Sequence, residues 1–534
     1  MERSQGHAPP TRLPKLSARR RSAGSQFVRN AVSSYGARAL LAVSALVLTP
    51  YLYRRLGAAG FGTWSIVFTL TTVFNLVQLG VSVGPVKLIS ELRANDRRAE
   101  VQETVGASVA LLALAGLLAL AASAAAAFLL DGLAADGEQH AFRIGMIAVG
   151  AAMLIRFPAV AYMGALEGYQ RWDLSNLAWS ASTIAFAAGA VAAVESGAGT
   201  LGVIVASAAS LALSGILFAV FLHRADPELS LRPRLSNRAT RRRVLHFSSY
   251  ALLADSMVFV GQRMDVVVIA AIRNATTAAP YAAAVKLQSG LQSLTLPFVE
   301  MLMPMLSELW AQGDRTEVAR RFTLATRVAA QITLPVAVGL ALFSHDIVHL
   351  WLGPEALSVT ARIVTVLVAV QVFTLIAAPA EKLLVGVGRV KIAGALAAVE
   401  GVGNISVSAL LVWKYGAIGA AVGTLLTSAV LAPVKLPIAC GAIGFSTGAF
   451  LRDAIGKAAA SSLPAVAGMA AVYVAVPEGP LRLLLAVAVG AVLAAAVASR
   501  QINRRRLRAS FGNRGGPSGV DTPLEPAASA EIAQ

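Results

Sequence analysis

The sequence predicts an all-α integral membrane protein with about fourteen transmembrane helices, on three observations. Of the 534 residues, 56% are hydrophobic and 14% are charged, whereas a soluble domain carries roughly 25% charged residues. The apolar residues form long Ala- and Leu-rich runs without alternation, which favours helices over a barrel. Clusters of arginine flank these runs, as the positive-inside rule predicts for a membrane protein.

Fourteen runs are long enough to cross a bilayer, which takes about 20 mainly apolar residues. The predicted spans are 27–53, 61–84, 104–130, 141–164, 174–196, 199–222, 247–271, 278–304, 323–344, 357–382, 391–413, 416–440, 455–476 and 480–499. Basic connections such as "ELRANDRR" (91–98) alternate with acidic or neutral ones such as "DGLAADGEQH" (131–140). This alternation predicts an even number of spans with both termini in the cytoplasm.

Charge and composition also exclude several classes of protein. A net charge of +18 is typical of proteins that bind nucleic acid. The arginines, however, cluster at 1–29, 223–245 and 500–514, beside the apolar runs, which is the distribution expected of a membrane protein. The single Cys440 excludes an intramolecular disulfide. The connections are too short for a soluble catalytic domain, and the chain lacks a phosphate-binding loop and a metal-ligand motif. We therefore predict no nucleic-acid binding, no catalytic residues, no cofactor and no metal site.

An internal repeat divides the chain into two lobes. "SELRANDRRAEV" (90–101) and "SELWAQGDRTEV" (307–318) match without gaps at seven positions, with an offset of 217 residues from 90 to 307. The same offset pairs Trp64 with Tyr281. Six spans separate the copies, which predicts two six-helix lobes of the same orientation, related by a pseudo-twofold axis along the membrane normal, plus two extra C-terminal helices.

The predicted domain boundaries follow from this repeat and from the polar segments between apolar runs. Both ends of the chain and the linker between the lobes are rich in arginine and poor in apolar residues, which predicts disorder at the two tails. The predicted domains are a basic cytoplasmic tail (1–25), the N-lobe (26–224), a cytoplasmic Arg-rich linker (225–245), the C-lobe (246–443), spans thirteen and fourteen (444–500) and a cytoplasmic tail (501–534).

Six motifs spread over the chain carry a family resemblance. They are "LGAAGFGTWSI" (56–66), "LEGYQRWDLSN" (166–176), "MDVVVIAAIRNATTAAPYAAAVKL" (264–287), "PMLSEL" (304–309), "LLVGVGRVKI" (383–392) and "YGAIGAAVGTLLTSAV" (415–430). In their order and spacing the chain resembles the multidrug/oligosaccharidyl-lipid/polysaccharide (MOP) flippase superfamily, in its branch of O-antigen-type polysaccharide-biosynthesis flippases. The resemblance implies fourteen spans and a cavity between two lobes that opens alternately to each side. It also implies sugars on a polyprenyl diphosphate as substrates, and ion gradients or membrane potential as the driving force of several members.

Ionisable residues inside the spans are the candidate functional groups. A charge near the bilayer centre costs roughly 2.5–3.5 kcal/mol and usually faces a cavity or a partner. The predicted substrate-binding residues are Arg38, Arg156, Arg263 and Lys286, and the predicted coupling or gating residues are Asp255, Asp265 and Glu400. The 217-residue offset maps Arg38 onto Asp255, so matched points of the lobes carry opposite charges. Snorkelling to headgroups is the alternative for Arg263 and Lys286, and an interfacial or packing role is the alternative for Asp265.

Together these features favour a flippase that moves a polyprenyl-diphosphate-linked oligosaccharide across the bacterial plasma (inner) membrane for cell-surface polysaccharide biosynthesis. Arginine and lysine in the cavity would neutralise the diphosphate, and Asp255 would couple transport to H⁺ or Na⁺. The expected partners are membrane lipids and the lipid-linked glycan, with the protein acting as a monomer beside polysaccharide-assembly proteins.

Three other roles stay open, one of which is a purely structural or scaffold role for a protein with a closed cavity. A MATE-like cation-coupled multidrug antiporter is less favoured because spans one to six have arginines, Arg38 and Arg156, but no carboxylate at mid-depth. A membrane glycosyltransferase or polysaccharide polymerase is less favoured because such enzymes need acidic groups in a sizeable loop, and the loops here are short.

Overall fold

The computed structural model describes residues 16–95, 97–230, 264–354 and 357–512, and the regular structure in these ranges is helical, without strands. Eleven helical segments within them are long and apolar enough to cross a membrane. Helices suit this setting because lipid offers the backbone no hydrogen-bond partners, so that each span must satisfy its own N–H and C=O groups. The predicted all-α fold class is confirmed.

The first half of the chain begins with a long helix, α1 (Leu16–Ala94), which is broken at Gly57. The φ of 69° and ψ of 177° at Gly57 are open to glycine because it has no Cβ, and the break separates the first two predicted spans. Four further helices follow, namely α2 (Arg98–Leu129), α3 (Gln139–Gly168), α4 (Trp172–Glu195) and α5 (Gly199–Ala225). The α3 helix packs against both α2 and α5, and α4 packs against α5.

The second half repeats this arrangement. Its helices are α6 (Asp265–Ile272), α7 (Ala275–Ala311), α8 (Arg315–Leu342), the short α9 (Ser344–Leu352), α10 (Leu357–Gly386), α11 (Val390–Tyr415) and α12 (Ala417–Ala442). The α10 helix packs against α7 and α12, α11 packs against α12, and the two halves meet where α1 contacts α7. The described part of predicted span seven is α6 together with Met264.

The observed helix bounds follow the offset of 217 residues. The α7 helix, from 275 to 311, corresponds to the part of α1 from 58 to 94. The α5 helix ends at 225 and α12 ends at 442. Their first turns also match, because α5 begins at Gly199 and α12 directly follows Gly416, and these two glycines have positive φ values of 57° and 62°. The repeat detected in two short loops therefore extends through whole helices. The domain boundaries drawn from it stay a prediction.

Two more helices complete the described chain. The short α13 (Thr447–Phe450) continues through a π-helical turn (Leu451–Gly456) into α14 (Lys457–Ala475), and α15 (Pro480–Gly512) follows. The α14 helix packs on α8 and α15. A buried ion pair between Arg482 at the start of α15 and Asp346 of α9, with Nε to Oδ2 at 3.1 Å, fixes this pair of helices to the C-lobe.

Tyr169, from the "LEGYQRWDLSN" motif, fastens the chain that leaves α5. Its hydroxyl donates to Asp226 Oδ2 at 2.9 Å, and Arg98 forms an ion pair with the same carboxylate at 2.6 Å. Burial and then the hydrogen bond to Asp226 raise the pKa of Tyr169 to about 12. Gln102 adds two hydrogen bonds to the backbone of Ser230. The start of the predicted linker is thus held against the N-lobe.

Candidate functional site

Two of the predicted substrate-binding residues lie between the lobes. Arg38 of α1 donates from Nη1 to Glu300 Oε2 of α7 at 3.3 Å, and the two side chains are 56% and 45% exposed. Lys286 of α7 places its Nζ 4.6 Å from the ring centroid of Phe68 and 5.9 Å from that of Trp64, both on α1. Each cation therefore faces the opposite lobe, and the ion pair of Arg38 is only partly buried by protein.

Arg156 lies elsewhere, inside the N-lobe. It is 1% exposed, donates from Nη1 to Ser214 Oγ at 3.0 Å, and has its guanidinium carbon 4.4 Å from the Trp179 ring centroid and 5.6 Å from that of Phe218. Its Nε has no hydrogen-bond partner among the described residues. In this conformation Arg156 is part of the packing between α3, α4 and α5, and its role in substrate binding stays a prediction.

Of the other predicted site residues, two lie in the C-lobe and two lie outside the described part of the chain. Arg263 and Asp255 lie outside the described residues. Asp265 and Glu400 both line one cavity of about 100 Å³ inside the C-lobe, which we call the C-lobe cavity. Its walls come from α6, α7, α10, α11 and α12, so five helices position the polar groups around a space of a few water molecules.

Near the predicted outer end of the C-lobe cavity, oxygen atoms from α6, α11 and α12 converge. Asp265 Oδ2 accepts from Tyr281 Oη at 2.5 Å and lies 3.2 Å from Thr424 Oγ1. Thr424 Oγ1 also lies 3.2 Å from Asn404 Oδ1, which accepts from Ser408 Oγ at 2.9 Å. Thr424 has one hydroxyl proton for three neighbouring acceptors, because the main-chain carbonyl oxygen of Ala420 also lies 3.1 Å from its Oγ1. A cluster with more oxygen lone pairs than protons suits a small cation.

Farther along the same cavity, a lysine connects two carboxylates. Lys435 of α12 is fully buried, and its Nζ forms ion pairs with Glu381 of α10 and Glu400 of α11. The two glutamates line the C-lobe cavity. Asp265 is a third carboxylate on the wall of this cavity, so these four groups carry a net negative charge when all of them are ionised.

Sequence reasoning missed two of the three residues that form these ion pairs. Glu400 was predicted as a coupling residue, but Glu381 and Lys435 were not, although each lies inside a predicted span. The signal that identified Glu400, an ionisable residue in an apolar run, was present for both.

The lobes also touch at the end that is predicted to face outwards. Trp351 Nε1 of α9 donates to the carbonyl oxygen of Leu46 in α1 at 2.7 Å. That carbonyl lacks its helical donor because residue 50, four positions on, is a proline without an N–H group. In return Arg54 of α1 donates to the carbonyls of Leu350 and Trp351, each at 3.0 Å, at the end of α9. Each lobe thus satisfies backbone carbonyls of the other.

An apolar groove of about 930 Å³ runs beside this interface. It is bounded by α7, α8, α14 and α15, with Ala42 and Leu46 of α1 at one edge. Lining residues range from Leu483, at the start of α15, to Val497, fourteen residues further along that helix, which at 1.5 Å per residue is about 21 Å. A second recess of about 660 Å³ shares Leu46 and Leu483 and contains Arg54 and Arg55. The apolar groove therefore adjoins a recess that contains two arginines.

Facing helical lobes, a polar cavity within one of them and many apolar helices define a multi-pass α-helical membrane protein. Residues 27–310 match the family model described as "Polysaccharide biosynthesis protein". This is more than half of the chain, and the protein belongs to the polysaccharide biosynthesis protein family. The resemblance inferred from the sequence is confirmed. No curated protein matches the chain by sequence.

Several solved structures share the fold. A structure of the lipid II flippase MurJ, in an inward closed conformation, superposes with a TM-score of 0.70 at 16% identity, over 90% of this chain and 99% of the other. An inward-facing multidrug resistance MATE family transporter of the MOP superfamily gives a TM-score of 0.64 at 15% identity, over 76% and 93% of the two chains. A MOP superfamily transporter from Pyrococcus furiosus gives 0.52 at 15% identity, over 80% and 96%. These similarities establish the fold.

Proposed function

We propose that the protein is a flippase that moves a polyprenyl-diphosphate-linked oligosaccharide across the bacterial plasma membrane by alternating access. The observation that carries this proposal is the position of the apolar groove, which adjoins α1 and α7 where the two lobes meet. A substrate with a long apolar chain and a charged head needs such a divided site. One of the solved structures with this fold is a lipid II flippase, which supports a lipid-linked substrate.

Arg38 and Lys286 are the residues we assign to the diphosphate. Both lie at the contact between α1 and α7. An arginine recognises phosphate oxygens through two parallel N–H bonds, and the exposure of the Arg38 side chain leaves room for a ligand. In this conformation the carboxylate of Glu300 accepts the hydrogen bond from Arg38. The substrate's diphosphate would replace this carboxylate, while the polyprenyl chain lay in the apolar groove.

Coupling to a cation is assigned to the C-lobe cavity. Asp265 and Asn404 each place an oxygen atom 3.2 Å from Thr424 Oγ1, an arrangement suited to Na⁺ or to a proton on the carboxylate. Glu400 lies in the same cavity. Because the cavity walls include α7, which also carries Lys286 and Glu300, an ion that changed the packing of α7 would reach the interface between the lobes.

A cation-coupled multidrug antiporter is the second candidate, and the C-lobe carboxylates are the observation in its favour. Asp265, Glu381 and Glu400 give the protein an acidic interior, and another solved structure with this fold is a multidrug resistance transporter. The residues exposed between the lobes argue for the flippase, because Arg38 and Lys286 would repel a cationic drug. We also propose a monomer with cytoplasmic termini that works beside polysaccharide-assembly proteins.

The deciding experiment compares Arg38→Ala with Glu300→Gln in reconstituted vesicles. Binding and flipping of a fluorescent polyprenyl-diphosphate oligosaccharide would be measured. If Arg38 binds the diphosphate, Arg38→Ala weakens binding by about 10- to 100-fold, the range expected for a lost charge-assisted hydrogen bond. Arg38→Lys retains part of the activity because it keeps the charge but loses the planar fork. Glu300→Gln binds as well as the wild type or better, since the competing carboxylate has gone.

The two variants separate substrate binding from a purely structural ion pair. Equal losses in Arg38→Ala and Glu300→Gln would mean that the pair only holds the lobes together. Normal flipping by Arg38→Ala, together with export of a cationic dye, would favour the antiporter. Arg362→Ala is the control, because its Nε bonds to the carbonyl of Ser358 within its own helix.

A further inference from the structure

A cationic pocket opens at the end of the C-lobe that is predicted to be cytoplasmic. The pocket encloses about 950 Å³ between the first turns of α8, the connection at residues 443–445 and the π-helical turn before α14. Four of its lining residues are cations and one is a carboxylate. These charged residues are Arg315, Arg320, Arg327, Lys457 and Asp453. We call this space the cationic pocket.

Arg327 forms the inner wall of the cationic pocket, three turns into α8. Its Nε donates to the main-chain carbonyl of Asp453 at 2.5 Å, so the guanidinium group is held by backbone and not by a carboxylate. No hydrogen bond to its terminal nitrogens occurs among the described residues. The carboxylate of Asp453 is already engaged by Lys457 at 2.6 Å. A half-buried arginine is therefore oriented by the backbone and has no carboxylate partner among the residues that the structure describes.

Arg315 provides a second cation without a carboxylate partner in the described part of the chain. Its guanidinium carbon lies 5.3 Å from the ring centroid of Trp310. Arg320, in contrast, is paired with Glu317. The π-helical turn widens the backbone of the opposite wall at Asp453, and such turns are often found at functional sites. The wall of the pocket thus combines two available guanidinium groups with a local distortion of a helix.

The repeat shows that this charge is not a general property of the helix. At the matched positions of the N-lobe, 217 residues earlier, Arg320 corresponds to Glu103 and Arg327 to Ala110. Arg98, which corresponds to Arg315, is neutralised there by Asp226 and Glu228. Basic residues at the cytoplasmic ends of spans are common. Among the described residues of the N-lobe, the matching helix end therefore has no arginine pair like Arg315 and Arg327.

We propose that the cationic pocket binds the phosphate of an anionic phospholipid headgroup. Arg315 and Arg327 would hold the phosphate oxygens, and Leu324, Ile443 and Phe445 give the same pocket an apolar wall for the start of the acyl chains. Basic pockets between helices at the cytoplasmic face bind such headgroups in other membrane proteins. A bound lipid would join α8 to the turn before α14. The site is separate from the interface between α1 and α7, so it is independent of the transported substrate.

Native mass spectrometry of the full-length protein, delipidated and titrated with phosphatidylglycerol, tests this site. Arg315→Gln/Arg327→Gln is expected to weaken binding by about 25-fold, because each of the two cations that would contact the headgroup phosphate is expected to contribute about fivefold in affinity. The matched control is Arg321→Gln/Arg452→Gln, which removes the same charge from α8 and the π-helical turn but from outside the lining. The control is expected to bind like the wild type. Arg327→Lys, which keeps the charge, is expected to retain most of the affinity.

Three results would overturn the proposal. They are an unchanged affinity in the double variant, an equal loss in the control, and equal binding of phosphatidylcholine. Inorganic phosphate forms a separate arm at matched phosphate concentration. If it displaced phosphatidylglycerol completely, the ligand would be a soluble phosphate and not a lipid. Should Arg315→Gln/Arg327→Gln fail to fold, Arg315→Gln alone, an exposed position, is expected to show about a fivefold loss.

Discussion

Trp64 in the N-lobe and Tyr281 in the C-lobe stand at matched positions of the repeat, and both side chains are buried. Trp64 Nε1 donates to Ser207 Oγ at 3.2 Å. Tyr281 donates instead to the carboxylate of Asp265 at 2.5 Å, and Thr424, at the position that matches Ser207, lies 3.2 Å from the same carboxylate. The same arrangement of helices therefore holds a hydrogen bond between two neutral side chains in one lobe and a cluster around a carboxylate in the other.

The buried cations of the two lobes differ in the same way. Arg156 in the N-lobe is surrounded by the rings of Trp179 and Phe218. Lys435 in the C-lobe stands at the position that matches Phe218, and it has two glutamates as partners. The repeat has kept helix lengths and packing partners, whereas the charges inside have diverged. This difference is the basis for assigning cation coupling to the C-lobe.

The largest expected effect separates the two buried cations. Lys435→Met leaves Glu381 and Glu400 without a counter-ion and is expected to lower the free energy of unfolding by about 3–5 kcal/mol. Arg156→Met leaves no carboxylate unpaired and is expected to cost about 1 kcal/mol, the value of its hydrogen bond to Ser214. Chemical unfolding in detergent micelles measures both. Similar losses in the two variants would break the comparison, and Glu381→Gln/Glu400→Gln/Lys435→Met is expected to recover stability.

A smaller effect is expected at the matched aromatic residues. Tyr281→Phe removes a hydrogen bond to a carboxylate, worth about 1.5–3 kcal/mol, while Trp64→Phe removes a neutral one, worth about 0.5–1.5 kcal/mol. Only Tyr281→Phe is expected to change the dependence of transport on Na⁺ or pH, because only its partner is ionisable. Flipping assays at varied Na⁺ concentration and pH provide the measurement. An ion dependence unchanged by Tyr281→Phe and by Asp265→Asn would remove the C-lobe cavity from coupling.

The smallest effect is expected at the contact between α1 and α9, where each lobe donates hydrogen bonds to backbone carbonyls of the other. Trp351→Phe leaves the Leu46 carbonyl without its donor, and Arg54→Gln does the same for the carbonyls at the end of α9. Each is expected to weaken this contact by about 1 kcal/mol. Distances between spin labels on α1 and α9 are expected to show a larger fraction of molecules open at this end. No change in either variant would mean that other contacts close it.

Much of the site was visible in the sequence because charges inside apolar runs are costly. Arg38, Lys286, Asp265 and Glu400 were selected on that ground, and the structure brings the first two to the interface between the lobes and the last two into one cavity. Depth along a span could be estimated from the sequence, since the rise of a helix is constant. The direction of a side chain could not, because depth does not say which side of a helix faces its neighbours. Arg156 illustrates this, being near mid-span yet enclosed within the N-lobe.

The sequence by itself determined the helices, their membrane setting and their duplication. These follow from local properties, namely the length of apolar runs, the basic loops and a repeated motif 217 residues apart. Only the tertiary structure decided the partners, such as Glu300 for Arg38 across 262 residues of chain and Glu381 for Lys435 across 54. Pairing of this kind depends on how each helix is rotated about its axis and packed against others. That rotation is the outcome of many small contacts between Ala, Gly and Leu side chains, and no short stretch of sequence encodes it.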